Sequence, residues 1–517
     1  MKEEGGNPTK ELYQRLRRLS CAELWEKEVA AFDAATPEVR SQRVALVRAV
    51  GVVFAENGTA EEKTKVRAWL RQLLHDPAEK IRRYAMAALP KIGAGPGEEA
   101  ELVALLRTAE LAREKKFAGK ALEKIGGRVT LETWQAAPGD FSPQTAQKVQ
   151  ASVARRERPS GIRMEGTLRE WDGLRIHLRG RRGLEGWVRD EVREWIARRG
   201  PVRLAEVRSG LVAITAAAPF TLAELFTLRC FGTVGFVLGV VPELEEGKLV
   251  EALAAVIASP LSRRLLEAWT EGSIRYRLEF VGKGHRRGLV RRVADRAYAL
   301  CPAILNDAQD APWAVDIHQT EAGWSVELRP RLAPDPRFAY RRKDVPAASH
   351  PPLAACLARL AGSVEREMVW DPFCGSGLEL IERGLLGGAP TLYGSDRSAE
   401  AIAIAEGNFA AAKVRGARAE FVCCDFGDFP TVKGLAPGTL SLIITNPPMG
   451  KRVPIDNLRG LIADLFAVAA KMLRPGGRLV FANPLRMETP LLKLQSRQVV
   501  DFGGFDCRVE RYLKAGR

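Results

Sequence analysis

The chain has 517 residues, room for about three or four domains of ordinary size. Its 79 lysines and arginines stand against 63 aspartates and glutamates, a net charge of +16 and a pI near 9.6 that suit a polyanionic partner, with solubility alone as the plainer reading. The eight cysteines form no CxxC pair, the histidines (75, 177, 285, 318, 350) are scattered, and the start, MKEEGGNPTKELYQRLRRL, is charged throughout, so the expectation is reduced thiols, no metal site, no signal peptide and a cytoplasmic setting.

From about 38 to 127 the pattern is helical and weakly repetitive. RRYAMAALPKIGA (82–94) aligns with KKFAGKALEKIGG (115–127) at an offset of 33, which pairs Tyr84 with Phe117 and Leu89 with Leu122. A period of that size predicts stacked helix pairs, and the stretch LLHDPAEKIRRYAMAALPKIG resembles a short run of HEAT-type repeats; a plain helical bundle is the alternative. This region is assigned to 1–134 and is a candidate surface for a protein partner. QAAPGDFSPQ and RRERPSG then mark 135–162 as a linker rich in Pro, Gly and charge.

Between 163 and 332 short strands and helices alternate: LRIHLRG, GLEGWVRDEVREWIARRG, LVAIT, TLAELFTLR, TVGFVLGVV. That predicts an α+β domain. The apolar stretch 211–228 is interrupted by Pro219 and Glu224, so it reads as core and not as a membrane span. The order, closing with IRYRLEFVGKGHRRGLVRRVADRAYAL and WAVDIHQTEAGWSVELRPR, resembles the ferredoxin-like plus THUMP module of RNA-modifying enzymes. Lys283, Arg286, Arg287, Arg291 and Arg292, with His285 among them, crowd a loop and the start of a helix. Such a cluster fits phosphates of RNA; a solvated helix face is the bland reading.

In 333–517 the strand-like segments EMVWDPF, TLYGSD, EFVCCDF, SLIITNPP and RLVFAN alternate with helical ones at 351–361, 377–386, 398–412 and 456–473. This predicts a doubly wound, Rossmann-like α/β sheet, with ligands beyond the carboxyl ends of its strands. The first strand ends in DPFCGSG, where Gly375 and Gly377 allow a tight turn but the third glycine of a dinucleotide fingerprint is missing. Asp396, 19 residues after Gly377, stands where an acid accepts ribose hydroxyls, and Asp425 stands where one could receive an adenine amino group. Singly, each acid could be a helix cap; together they point to S-adenosylmethionine.

The fourth strand ends in Asn446-Pro447-Pro448-Met449. Proline holds the preceding residue extended, and the two prolines bring no N–H of their own. The Asn446 side-chain oxygen and a neighbouring carbonyl can then take both hydrogens of an exocyclic NH2 and aim its lone pair at a methyl donor. DPFCGSG, YGSD, CCDF and TNPPMG, with RFAYRRKDVPAASHPPLAACLARLAG upstream, resemble THUMP-containing, S-adenosylmethionine-dependent RNA guanine-N2 methyltransferases. The resemblance implies a cofactor site at Asp371, Phe373, Gly375, Gly377, Asp396, Asp425 and Asn446, a catalytic loop Asn446–Met449, and a tRNA or rRNA substrate. The sequence departs from that family in the helical N-terminal region and in Met449, where the family has an aromatic residue. An N6-adenine or N4-cytosine DNA methyltransferase, or a non-catalytic RNA-binding scaffold, are the alternatives.

Overall fold

A computed structural model describes residues 8–516 apart from 94, 138–141, 158, 283–285, 347 and 451–454. After several short helical turns come α1 (Ala45–Asn57), α2 (Ala60–Leu73), α3 (Glu79–Ile92), α4 (Pro96–Thr108), α5 (Ala112–Ile125), α6 (Arg128–Ala136) and α7 (Pro143–Glu157). The two aligned sequence segments fall on α3 and α5. In α3 the residues Ile81, Ala85, Ala88, Leu89 and Ile92 recur at helical spacing and are buried. Helices α1, α3, α5 and α7 pack each on the next, with α2, α4 and α6 set against them as a second row. Close approach of α1 and α3 depends on Gly51, where an added Cβ would come within 2.7 Å of the Ala88 Cβ.

The expectation of a linker at 135–162 is corrected: most of it is α7. Pro143 opens that helix where its missing N–H costs nothing, and Ala146, Val149 and Val153 form a buried stripe against α5. Proline and charge drew attention away from that apolar periodicity.

The central domain contains β1 (Arg175–Arg179), α8 (Glu185–Ala197), β2 (Val202–Arg208), β3 (Leu211–Ala216), β4 (Thr233–Val241), α9 (Glu246–Ile257), α10 (Pro260–Trp269), β5 (Arg275–Val281), α11 (Arg287–Leu300), β6 (Leu305–Asn306), β7 (Trp313–Thr320) and β8 (Gly323–Pro330). Its strands form one mixed sheet in the order β6-β5-β7-β8-β4-β1-β3-β2. TLAELFTLR, expected to be helical, gives only the four-residue turn Leu222–Leu225. No helix among the described residues is long and apolar enough to cross a membrane.

In the C-terminal domain the order is α12 (Pro351–Ala361), β9 (Met368–Asp371), α13 (Leu378–Leu385), β10 (Thr391–Asp396), α14 (Ala399–Ala412), β11 (Arg418–Cys423), β12 (Leu440–Thr445), α15 (Leu458–Met472), β13 (Leu473–Asn483), β14 (Lys493–Asp501) and β15 (Asp506–Leu513). The sheet runs β11-β10-β9-β12-β13-β15-β14, parallel except for β15. Strand order therefore reverses between β9 and β12, which pair directly, Trp370 opposite Ile443. A crevice opens at such a point, outside the strand ends.

Charged side chains bolt the central domain to this one. Arg229 donates two hydrogen bonds of 2.7 Å to Glu382 of α13 and a third to the Arg337 carbonyl. Tyr340 donates to the same Glu382 at 2.5 Å, and Arg359 of α12 reaches Glu194 of α8 at 2.9 Å. Glu382 is 2 % exposed, so these partners take the place of water around it.

Candidate active site

The loop after β9 turns back under the strand ends. Gly375 (φ +50°) and Gly377 (φ +83°) occupy the left-handed region that a side chain would strain, and Gly377 leads directly into α13. The Gly375 N–H donates to Asp396 Oδ2 at 3.1 Å, and Asp396 Oδ1 accepts from the Ser398 N–H at 2.9 Å, so the acid at the end of β10 clamps the β9 loop while remaining only partly buried. Cys374 N–H donates to the Ser395 carbonyl at 2.9 Å and ties the same loop to β10.

Asp371, at the end of β9, is fully buried. Its Oδ1 accepts the Phe373 N–H at 3.1 Å, whereas Oδ2 has no hydrogen-bond partner. Burial, reinforced by the charge of Glu379, pushes this carboxyl well above its ordinary range, and the nearby Thr445 hydroxyl offsets that only in part. Asp425 follows β11, with Oδ1 accepting the Gly427 N–H at 2.8 Å and Arg397 at 3.8 Å from Oδ2. Beside it the Phe373 and Phe426 rings lie 4.9 Å apart and make an apolar wall.

Asn446 leaves β12 next to Asp371. Its Nδ2 donates to Ser349 Oγ at 2.8 Å, and its Oδ1 is buried without a partner. Pro447 is buried, while Pro448 and Met449 are partly exposed, so Met449 is not a core residue. The structure thus brings Asp371, Phe373, Gly375, Gly377, Asp396, Asp425 and Asn446–Met449 to one end of one sheet.

Two residues of this site escaped sequence reading. Ser349 hydrogen-bonds Asn446 and also donates to Glu379 Oε1. Ser349 precedes a His-Pro-Pro helix start and resembles an ordinary cap; Glu379 is an acid in a helix first turn, where acids are common for dipole reasons. No local signal separates either from those commonplace roles. Next to them His350 has a buried, unpartnered Nδ1, and burial, aided by the charges of Arg181, Arg341 and Arg337, lowers its pKa to about 4.

The arginine cluster lies elsewhere, on α11. Arg286 covers the rings of Trp324 (4.8 Å) and Phe280 (5.5 Å); Arg291 donates to Gln144 of α7 and faces Asp295 at 3.6 Å; Arg292 pairs with Glu246 of α9. Arg286, Arg287 and Arg291 line a cleft of about 1040 Å³ between α7 and the central domain, together with Lys148 and Arg277. Lys283 and His285 lie outside the described residues. Among the described residues no group of three or more His, Cys, Asp or Glu could hold a metal ion.

Residues 339–502 match the model of the RMKL-like methyltransferase domain. No curated protein matches the chain. Among solved structures, TrmN from Thermus thermophilus is 24% identical over 66% of this chain and 99% of its own, with a TM-score of 0.53. A possible methylase from Clostridium difficile 630 is 17% identical over 66% of this chain and 98% of its own, with a TM-score of 0.50. These two likenesses concern the fold. The C-terminal domain is a methyltransferase domain, and its cofactor is S-adenosylmethionine. The residues present fit that group: the unpartnered Asp371 Oδ2, the glycine turn, and an acid at the end of each of β10 and β11 beside an apolar wall.

Proposed function

We propose that the protein methylates the exocyclic N2 of a guanosine in structured RNA, tRNA or rRNA. The observation that carries this reading is Asn446: a side-chain oxygen, buried and without a partner, fixed just ahead of two prolines at the switch point of a methyltransferase sheet. A buried acceptor left unsatisfied costs about 1–3 kcal/mol, and a bound amino group removes that cost. When bound, S-adenosylmethionine supplies an electrophilic methyl group. Asn446 Oδ1 and a backbone carbonyl of the Pro447-Pro448 turn accept the two amino hydrogens, favour a pyramidal nitrogen and direct its lone pair. An aromatic amine needs no base before transfer, since its proton becomes acidic only once the nitrogen carries the new methyl. Asp371, Phe373, Gly375, Gly377, Asp396 and Asp425 are assigned to the cofactor, and Met449 to the face of the target base through its polarizable sulfur.

The central domain, read as a ferredoxin-like and THUMP-like module, and the cleft beside α7 are assigned to the RNA, with Arg286, Arg287, Arg291, Arg292 and Lys283 as phosphate contacts. The helical N-terminal region, read as HEAT-like, borders that cleft through Glu123 and Lys124, with Gln144 and Lys148 of α7 beside them, and is open to a protein partner as well. The test is incubation of the protein with unmodified total RNA and labelled cofactor, followed by mass spectrometry of the nucleosides. N2-methylguanosine is the expected product. Label in DNA alone, as N6-methyladenine or N4-methylcytosine, overturns the substrate assignment.

A further inference from the structure

We propose that Ser349 and Glu379 act as a relay that fixes which end of the Asn446 amide faces the substrate. The inference rests on the reading of Asn446 as an acceptor. An amide has a donor end and an acceptor end of nearly equal size, and a half-turn about the last side-chain bond exchanges them. With NH2 turned toward the substrate, Asn446 would repel the amino hydrogens that it is required to accept.

Proton counting decides between the two orientations. A serine hydroxyl owns one proton. Ser349 gives it to Glu379 Oε1, and an ionised carboxylate has none to return. Toward Asn446, therefore, Ser349 Oγ can only accept, so the NH2 end is drawn to it at 2.8 Å and Oδ1 is left facing the other way without a partner. Ser349 is 8 % exposed and Glu379 4 %, so water competes little for either bond. The relay needs the charge to stay on Glu379. Burial pushes this carboxyl up and Glu382, one turn along α13, adds to that, while the Ser349 hydroxyl and the first-turn backbone N–H hold it down. Asp371 is raised as well, mainly by burial and in part by the charge of Glu379. Cys374 and Tyr340 also face Glu379, and burial raises both above their ordinary ranges, so neither contributes a competing negative charge.

The relay makes this loop selective for an N–H2 edge over a carbonyl edge, a property that neither Asn446 nor the two prolines possess alone. The full-length chain serves for the test. In Ser349→Ala, kcat for methyl transfer to RNA is expected to fall about tenfold or more, while the affinity for S-adenosylmethionine changes by less than about twofold. Ser349→Thr keeps the hydroxyl and recovers most of the loss. A second readout needs no RNA: in protein labelled with 15N-asparagine, the side-chain NH2 signal of Asn446, assigned by its absence from Asn446→Asp, exchanges with solvent about tenfold faster in Ser349→Ala than in wild type. Unchanged exchange in Ser349→Ala overturns the relay, as does Ser349→Thr behaving like Ser349→Ala in that readout. A protected NH2 in a protein that methylates no RNA keeps the relay and discards the guanine assignment.

Discussion

The carboxyl end of the C-terminal sheet and the arginine-bearing face of α11 both concentrate polar groups, but they treat them in opposite ways. At the sheet end, Asp371 Oδ2 and Asn446 Oδ1 are buried, held still and left without partners. On α11, Arg291 and Arg292 are exposed and face Asp295 and Glu246. Unsatisfied, rigid atoms are suited to chemistry on a small target, because any ligand that satisfies them regains the cost of their burial. Paired, exposed cations are suited to loose contact with a large polyanion that competes for them with acids and salt.

The contrast is broken most severely at the seam that holds the two regions together. Arg229→Ala leaves Glu382 buried with only Tyr340 as donor, and a loss of about 3–5 kcal/mol in unfolding free energy is expected in denaturant titrations. A loss under about 1 kcal/mol would mean that Arg229 adds little to the seam and that its other contacts hold the domains together.

Within the rigid region, Asn446→Ala should lower kcat by about 10² or more with little change in cofactor affinity. Turnover surviving while calorimetry shows lost cofactor binding would reassign the loop from chemistry to binding.

His350 probes the same burial through pH. Its folded pKa, about 4, lies below the ordinary histidine value of about 6.5, so the folded protein resists protonation more than the unfolded chain does. Stability is fully present above the ordinary value and is lost as pH falls from there toward 4. His350→Gln should flatten that part of the melting-temperature profile. An identical slope in both proteins would place the buried proton site elsewhere.

Met449 lies at the edge of the rigid region. Met449→Tyr is expected to keep or raise activity and Met449→Ala to lower it several-fold, about 3- to 10-fold, since base contacts tolerate another flat or polarizable group but not a small one. Lower melting temperature with tyrosine would mark a packing role instead.

The mildest expected effect is on the basic face. Neutralising Arg286, Arg287, Arg291 and Arg292 together should raise KM more than it lowers kcat. It should also reduce the log–log salt slope of RNA binding by about 2 and not by the roughly 4 that four independent phosphate contacts would give. A full reduction would show that Glu246 and Asp295 release their arginines completely to RNA.

Much of the candidate site was legible because DPFCGSG, YGSD, CCDF and TNPPMG are each an unbroken run of residues, and because parallel strand ends are brought together by the sheet itself. Ser349 and Glu379 were not, since their roles exist only through space. The same reason hid Glu246 opposite Arg292 and Glu382 opposite Arg229. Strands β14 and β15 went unread because KLQSRQVVD is polar and half exposed, and only its pairing with β15, itself paired with β13, makes it a strand. Helix α7 was hidden by the linker-like composition on either side of its apolar stripe.

Glu382 occupies one turn of α13 and Glu379 the turn before it, so one short helix grips the central domain with one acid and, through Ser349, the Asn446 loop with the other. Under the proposed function, an RNA resting on the central domain would meet that helix as the fixed jaw of a caliper. On that reading the nucleotide reached would be set by its distance along the folded RNA from the resting place more than by the letters around it.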